Sequence, residues 1–191
     1  VPLVYKTAVG EQRTVTLSDG STLSLNARSK VMVRYDETRR AVDLIEGQAL
    51  FRVASNPRRP FIVYSDSAII RAVGTQFDVS RRSDKTVVTV VEGRVAVSEA
   101  ETAGRGGSAL LSGSKSSSAQ PGAASFVSAG EQVIATASAL TTVQHADVAA
   151  ATAWTEGKLV FRSLPLVEVI DEFNRHTPRR FVIEDAQLAD V

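Results

Sequence analysis

Three short segments of the chain repeat one pattern. They are Glu46-Gly47-Gln48-Ala49-Leu50-Phe51, Glu92-Gly93-Arg94-Val95-Ala96-Val97 and Glu156-Gly157-Lys158-Leu159-Val160-Phe161. Each is an acid, a glycine, and then a run with apolar residues at every second place. Glycine enters backbone conformations that a Cβ makes costly. Side chains of an extended strand alternate between its two faces, so each run reads as a half-buried strand. A chain that restarts the same turn-plus-strand unit stacks β-elements. The expected fold class is mainly β: an antiparallel β-stack, either sandwich or solenoid-like.

The remainder of the chain supplies more strands. Val15 and Leu17 precede Asp19-Gly20, and Leu23 and Leu25 follow it, which is a hairpin signal. Val31 to Tyr35, Val42 and Leu44, Phe61 and Val63, Ala68 to Ala72, and Phe77 and Val79 all alternate. Val87 to Val91 is denser and reads as a strand buried on both faces. Glycines at 20, 47, 74, 93, 130 and 157 (Gly20, Gly47, Gly74, Gly93, Gly130, Gly157) fall where turns or bulges are expected. Phe51, Phe61, Phe77 and Phe161 fit core positions. Residues 103–125 are rich in Ser, Gly and Ala, bury too little to offset their ordering entropy, and read as a flexible insert with only Leu110-Leu111 as a strand fragment. The domain expected over residues 1–136 is therefore all-β, with an Ala- and Thr-rich linker at 137–153 that has room for one short helical turn.

After Trp154 and the third Glu-Gly unit the hydrophobic period changes. Leu166, Val169, Ile170 and Phe173 lie at i, i+3, i+4 and i+7, one face of a helix. Ser163 is its expected N-cap, Pro165 sits in the first turn, and Pro178 stops it. Phe181 and Ile183 then alternate as a strand. Residues 154–191 thus read as a small, incomplete β-α-β module. Its four large apolar helix residues are worth about 1.5–3 kcal/mol each if fully buried, and the module alone offers little to bury them on.

Chemistry is sparse. The 191 residues include no cysteine, which removes disulfides, thiolate metal ligands and cysteine nucleophiles. The net charge is +1 with both signs interspersed, unlike the basic face of a nucleic-acid binder. No run of about 18 apolar residues is present to span a bilayer, and a start at Val1 without a signal peptide suggests a processed or excised piece. His145 and His176 have no ligand spacing around them. Asp36-Glu37 and Asp171-Glu172 read as solvated acidic pairs, and the arginine pairs at 39–40, 58–59, 81–82 and 179–180 read as solvated loop tips. Gly104-Arg105-Gly106-Gly107 lacks the lysine and the strand-helix context of a phosphate loop. Trp154 reads as a core anchor. No catalytic residue, metal or cofactor is expected.

Several segments in order resemble one family. They include Thr14 to Leu25 followed by Asn26-Ala27, Gly47-Gln48-Ala49-Leu50-Phe51, Arg59-Pro60-Phe61 and Gly74-Thr75-Gln76-Phe77-Asp78-Val79. Val91-Glu92-Gly93-Arg94-Val95, Gly130-Glu131-Gln132-Val133, Trp154 with Gly157 to Phe161, Pro165-Leu166 and Glu172-Phe173-Asn174-Arg175 complete the set. From about Val9 onward the chain resembles the periplasmic region of FecR-like regulators, which act in cell-surface signalling and in the regulation of transcription, iron transport included. The resemblance implies a non-enzymatic anti-sigma regulator in which a cytoplasmic segment, absent here, binds a sigma factor. One membrane helix, also absent here, would anchor it. The periplasmic partner would be the N-terminal signalling domain of a TonB-dependent outer-membrane receptor, and the C-terminal module would resemble the short domain of secretins and such receptors.

The candidate partner-binding residues are Leu166, Val169, Ile170, Phe173, Phe181 and Ile183, with Arg179 and Arg180 as an electrostatic rim. An equally available arrangement packs this helix on its own sheet. Two rival readings remain: an envelope carbohydrate- or peptidoglycan-binding β-domain, which needs an exposed aromatic platform from Trp154, Tyr5, Tyr35 or Tyr64, and a β-helix glycan hydrolase, which needs clustered carboxylates.

Overall fold

The computed structural model describes residues 2–82, 84–100, 124–162 and 164–185. Two seven-stranded sheets share one hydrophobic core. The first holds, in spatial order, β1 (Leu3–Lys6), β4 (Lys30–Tyr35), β5 (Arg40–Glu46), β7 (Phe61–Tyr64), β8 (Ala68–Ala72), β11 (Arg94–Glu99) and β12 (Ser125–Ser128). The second holds β2 (Arg13–Thr16), β3 (Thr22–Leu25), β6 (Gln48–Arg52), β9 (Gln76–Arg81), β10 (Lys85–Glu92), β13 (Glu131–Thr136) and β14 (Gln144–His145). Spatial order follows chain order in both sheets. The chain therefore advances along the stack, changing sheet every one or two strands, so the sandwich and the solenoid-like advance coexist. Neighbours are antiparallel except β5 and β7, which are parallel because β6 crosses to the other sheet between them.

The first two Glu-Gly units are the corners of that advance. Gly47 carries the chain from β5 into β6, and Gly93 from β10 into β11. At Gly47 φ is 85°, and a Cβ there would lie 2.2 Å from Ser29 Oγ, the hydroxyl that accepts the Gln48 amide at 2.9 Å. All six glycines named above have left-handed φ, between 66° and 85°. The third unit departs from the pattern. Gly157 closes a 3-10 turn at Ala153–Glu156, and no strand forms over Lys158 to Phe161. A strand needs a ladder partner, and among the described residues no strand pairs with this segment, which lines a cleft with residues of the second sheet.

The core holds Leu23, Leu25, Val42, Leu44, Phe51, Phe61 and Phe77. Phe51 stacks on Phe77 at 5.2 Å and meets Phe61 edge-on at 5.9 Å. Phe161 departs from its expected core position: it is half-buried in the C-terminal segment. Arg40 is not a solvated loop tip but fully buried. Its Nη1 donates to Asp19 Oδ2 at 2.6 Å and its Nε to the Arg59 carbonyl at 2.8 Å. Burial works to raise the Asp19 pKa, but the bonds from Ser21 and Arg40 outweigh it and hold that carboxyl below its ordinary value.

Residues 137–153 are folded onto the body. They contribute β14 and a short helix α1 (Val148–Thr152), capped by Asp147, whose Oδ1 accepts the Ala150 amide at 2.9 Å. Leu140 and Val143 pack against the core. The expected insert is trimmed at its end, where β12 begins at Ser125; its other residues to 123, Leu110-Leu111 included, lie outside the described residues, as does Ser163. A second helix α2 spans Leu166–His176. The strand expected around Phe181 and Ile183 is absent. The Asn174 side chain takes its place, accepting the Phe181 amide at 2.7 Å and donating to the Phe181 carbonyl at 3.0 Å.

Candidate partner-facing site

Gln48 and Asp78 alternate with core residues along β6 and β9, so they emerge on the outer face of the second sheet. Trp154 closes over them and is 4% exposed. Its Nε1 donates to Asp78 Oδ1 at 3.1 Å, and Gln48 Nε2 donates to Oδ2 at 2.8 Å. Asn26 Nδ2 donates to Gln48 Oε1 at 2.9 Å, and Gln12 Nε2 reaches the Trp154 carbonyl at 2.7 Å. Burial pushes the Asp78 carboxyl up to about 7, against the donors Gln48 and Trp154, and the nearby charge of Glu172 adds to the rise. Trp154 is thus an anchor, set on the outside of a sheet and joined to it by a polar cluster.

Past Trp154, α2 meets the body with its charged side. Lys85 Nζ donates to Glu168 Oε1 at 2.6 Å, and Arg82 pairs with the other oxygen. Glu172 accepts from Asn26 Nδ2 at 3.4 Å and lies 3.2 Å from His176 Nε2. Arg175 Nη2 donates to the Arg81 carbonyl at 3.1 Å, and the Gly10 amide donates to the Arg175 carbonyl at 3.0 Å. Burial works to raise the pKa of both glutamates. The bonds and charges of Lys85 and Arg82 at Glu168, and of His176 and Arg175 at Glu172, prevail and hold them below the ordinary value. Glu172 is therefore not solvated as the sequence suggested, whereas its neighbour Asp171 is exposed.

The apolar side of α2 turns away from the sheets. Leu166, Val169 and Ile170 are half-buried, Phe173 is 41% exposed, and no residue of the helix is buried. Phe173 lies 5.5 Å from Phe161 and 6.2 Å from Phe181, itself 49% exposed. Ile183 is half-buried, and Arg179 and Arg180 are exposed. The alternative in which the helix lays its apolar face on the domain's own sheet is not what forms. Between arm and sheet runs a cleft of about 250 Å³, floored by Gln48, Asp78, Thr89 and Gln132 and walled by Trp154 and Phe161. Among the described residues no group of three or more His, Cys, Asp or Glu could hold a metal. No described helix is long and apolar enough to cross a membrane.

The sequence placed the four apolar helix positions on one face but missed the Asn26–Gln48–Asp78–Trp154 cluster. Alternation within β9 carries no such signal, because it puts Asp78 on the face opposite Phe77 and Val79, and the residue that covers that face is the distant Trp154.

Residues 4–96 match the family described as FecR protein. Two crystal structures described as a "putative anti-sigma factor" from Parabacteroides distasonis are similar to this chain. One is 25% identical over 92% of this chain and 75% of that chain, with a TM-score of 0.75. The other is 25% identical over 91% and 74%, with a TM-score of 0.74. No curated protein matches. Residues 4–96, from the first strand to β11, are thus similar to the FecR family, and they lie inside a fold that the two crystal structures share along nearly the whole of this chain.

Proposed function

We propose that the chain is the periplasmic signalling region of a transmembrane anti-sigma regulator. It relays the state of a TonB-dependent outer-membrane receptor to an extracytoplasmic-function sigma factor by protein–protein contact, without chemistry of its own. The receptor's N-terminal signalling domain is the partner, and Leu166, Val169, Ile170, Phe173, Phe181 and Ile183, rimmed by Arg179 and Arg180, form the surface it meets. One observation carries this reading: a strongly amphipathic helix directs its charged side at its own body and its apolar side outward. Apolar surface left in water costs roughly 25 cal/mol per Å², and contiguous exposed patches mark interaction sites. The similarity to a protein described as an anti-sigma factor supports the same role. The carbohydrate-binding alternative loses its main platform, because Trp154 is buried.

The test is capture of this region by the N-terminal signalling domains of the host's TonB-dependent receptors. One receptor domain is expected to retain the parent chain and to lose Phe173→Asp and Ile183→Asp while both variants keep the parent's circular dichroism. Undiminished capture of both variants, or capture by no receptor, contradicts the proposal.

A further inference from the structure

The arm from Lys158 to Asp185 is joined to the sandwich in an unusual way. Its apolar side chains pack on one another, Phe173 between Phe161 and Phe181. Ion pairs and hydrogen bonds tie it to the body: Glu168 with Arg82 and Lys85, Glu172 with Asn26, Arg175 with the Arg81 carbonyl and the Gly10 amide, and the exposed Arg162 with Asp147. Polar interfaces between units of one chain release readily, and relative motion across them is the default. Partly exposed ion pairs are also weakened by salt, whereas apolar packing is not. The connection to the anchor is suited to movement. Gly157 has φ 75°, and nothing lies within 4 Å of where its Cβ would be, while Trp154 just before it stays fixed on Asp78.

We propose that α2 and its flanking segments form a charge-latched arm that undocks from the sandwich as a unit about Gly157, with Glu168 and Glu172 as the latch and Trp154 as the fixed pivot. In the docked state the latch sets which side of α2 faces outward. A partner that bound the apolar face, or drew on Arg82 and Lys85, would change the balance between docked and free arm. That last consequence rests on the interaction-module reading; the undocking itself does not.

The absence of cysteine makes a distance measurement clean. Spin labels at Glu37→Cys, on the exposed β4–β5 turn, and at Val167→Cys, on α2 outside the latch, report the arm's position by double electron–electron resonance. The pair is expected to give one narrow distance near 0.1 M salt. A longer, broader population should appear near 1 M salt, where the Debye length falls from about 10 Å to about 3 Å. Glu168→Arg should shift the distribution the same way at low salt. Adding Arg82→Glu and Lys85→Glu to Glu168→Arg restores opposite charges and should restore the narrow distance. An unchanged distribution in high salt and in Glu168→Arg overturns the proposal, as does failure of the charge swap to restore it. Receptor capture is read separately, so failure of the latch and failure of the proposed function give different results.

Discussion

Asp78 presents a carboxylate to protein and not to water. Its two oxygens are met by Gln48 and Trp154, yet burial lifts its pKa to about 7 from an ordinary 3.8. The sign follows from linkage: a carboxyl that holds its proton more tightly when folded stabilises the fold at low pH and loses that contribution as pH rises through the folded value. A shift of this size corresponds to about 4 kcal/mol, at 1.36 kcal/mol per unit. Asp78→Asn removes the titration and keeps the shape. Urea unfolding of parent and variant from pH 4 to pH 8 should show the parent losing stability relative to the variant, most steeply between pH 5 and pH 7. Parallel profiles would mean that Asp78 is solvated or that its proton is not coupled to folding. The residue was hard to foresee because what buries it, Trp154, arrives from 76 positions away in sequence.

At the scale of elements, three Glu-Gly signals had two different outcomes. Glu46-Gly47 and Glu92-Gly93 lead into β6 and β11, whereas Glu156-Gly157 ends a 3-10 turn. Local pattern reports what a segment could do; pairing decides what it does. Gly47→Ala should cost more than about 2 kcal/mol, because a disfavoured φ is joined by overlap with Ser29. Gly157→Ala, with open space around it, should cost only the left-handed penalty of about 1–2 kcal/mol. Denaturant midpoints of the two variants check the ordering, and equal losses would contradict it. The hairpin at Asp19-Gly20 and the helical face of Leu166 to Phe173 were legible, since both are carried by spacing within one segment. The strand expected at Phe181 was not, because Asn174 occupies its backbone groups.

For the whole molecule, the mainly β class and its stacked advance were readable because alternation repeats along the chain. The seating of the C-terminal arm was not. A helical wheel shows that α2 has an apolar and a charged side but not which one meets the body; that was settled by Arg82, Lys85 and Asn26, which lie at the ends of β9, β10 and β3 on one side of the second sheet. The resulting architecture is a rigid two-sheet body that carries a polar-seated arm with its apolar side outward. If α2 and its flanking segments are the partner-facing surface, a bound partner covers them and leaves the sheets bare. Hydrogen exchange of this region, measured with and without a saturating receptor signalling domain, should show new protection across residues 159–183 and none along β7 and β8. Protection confined to the sheets, with residues 159–183 exchanging as they do in the free chain, would contradict it.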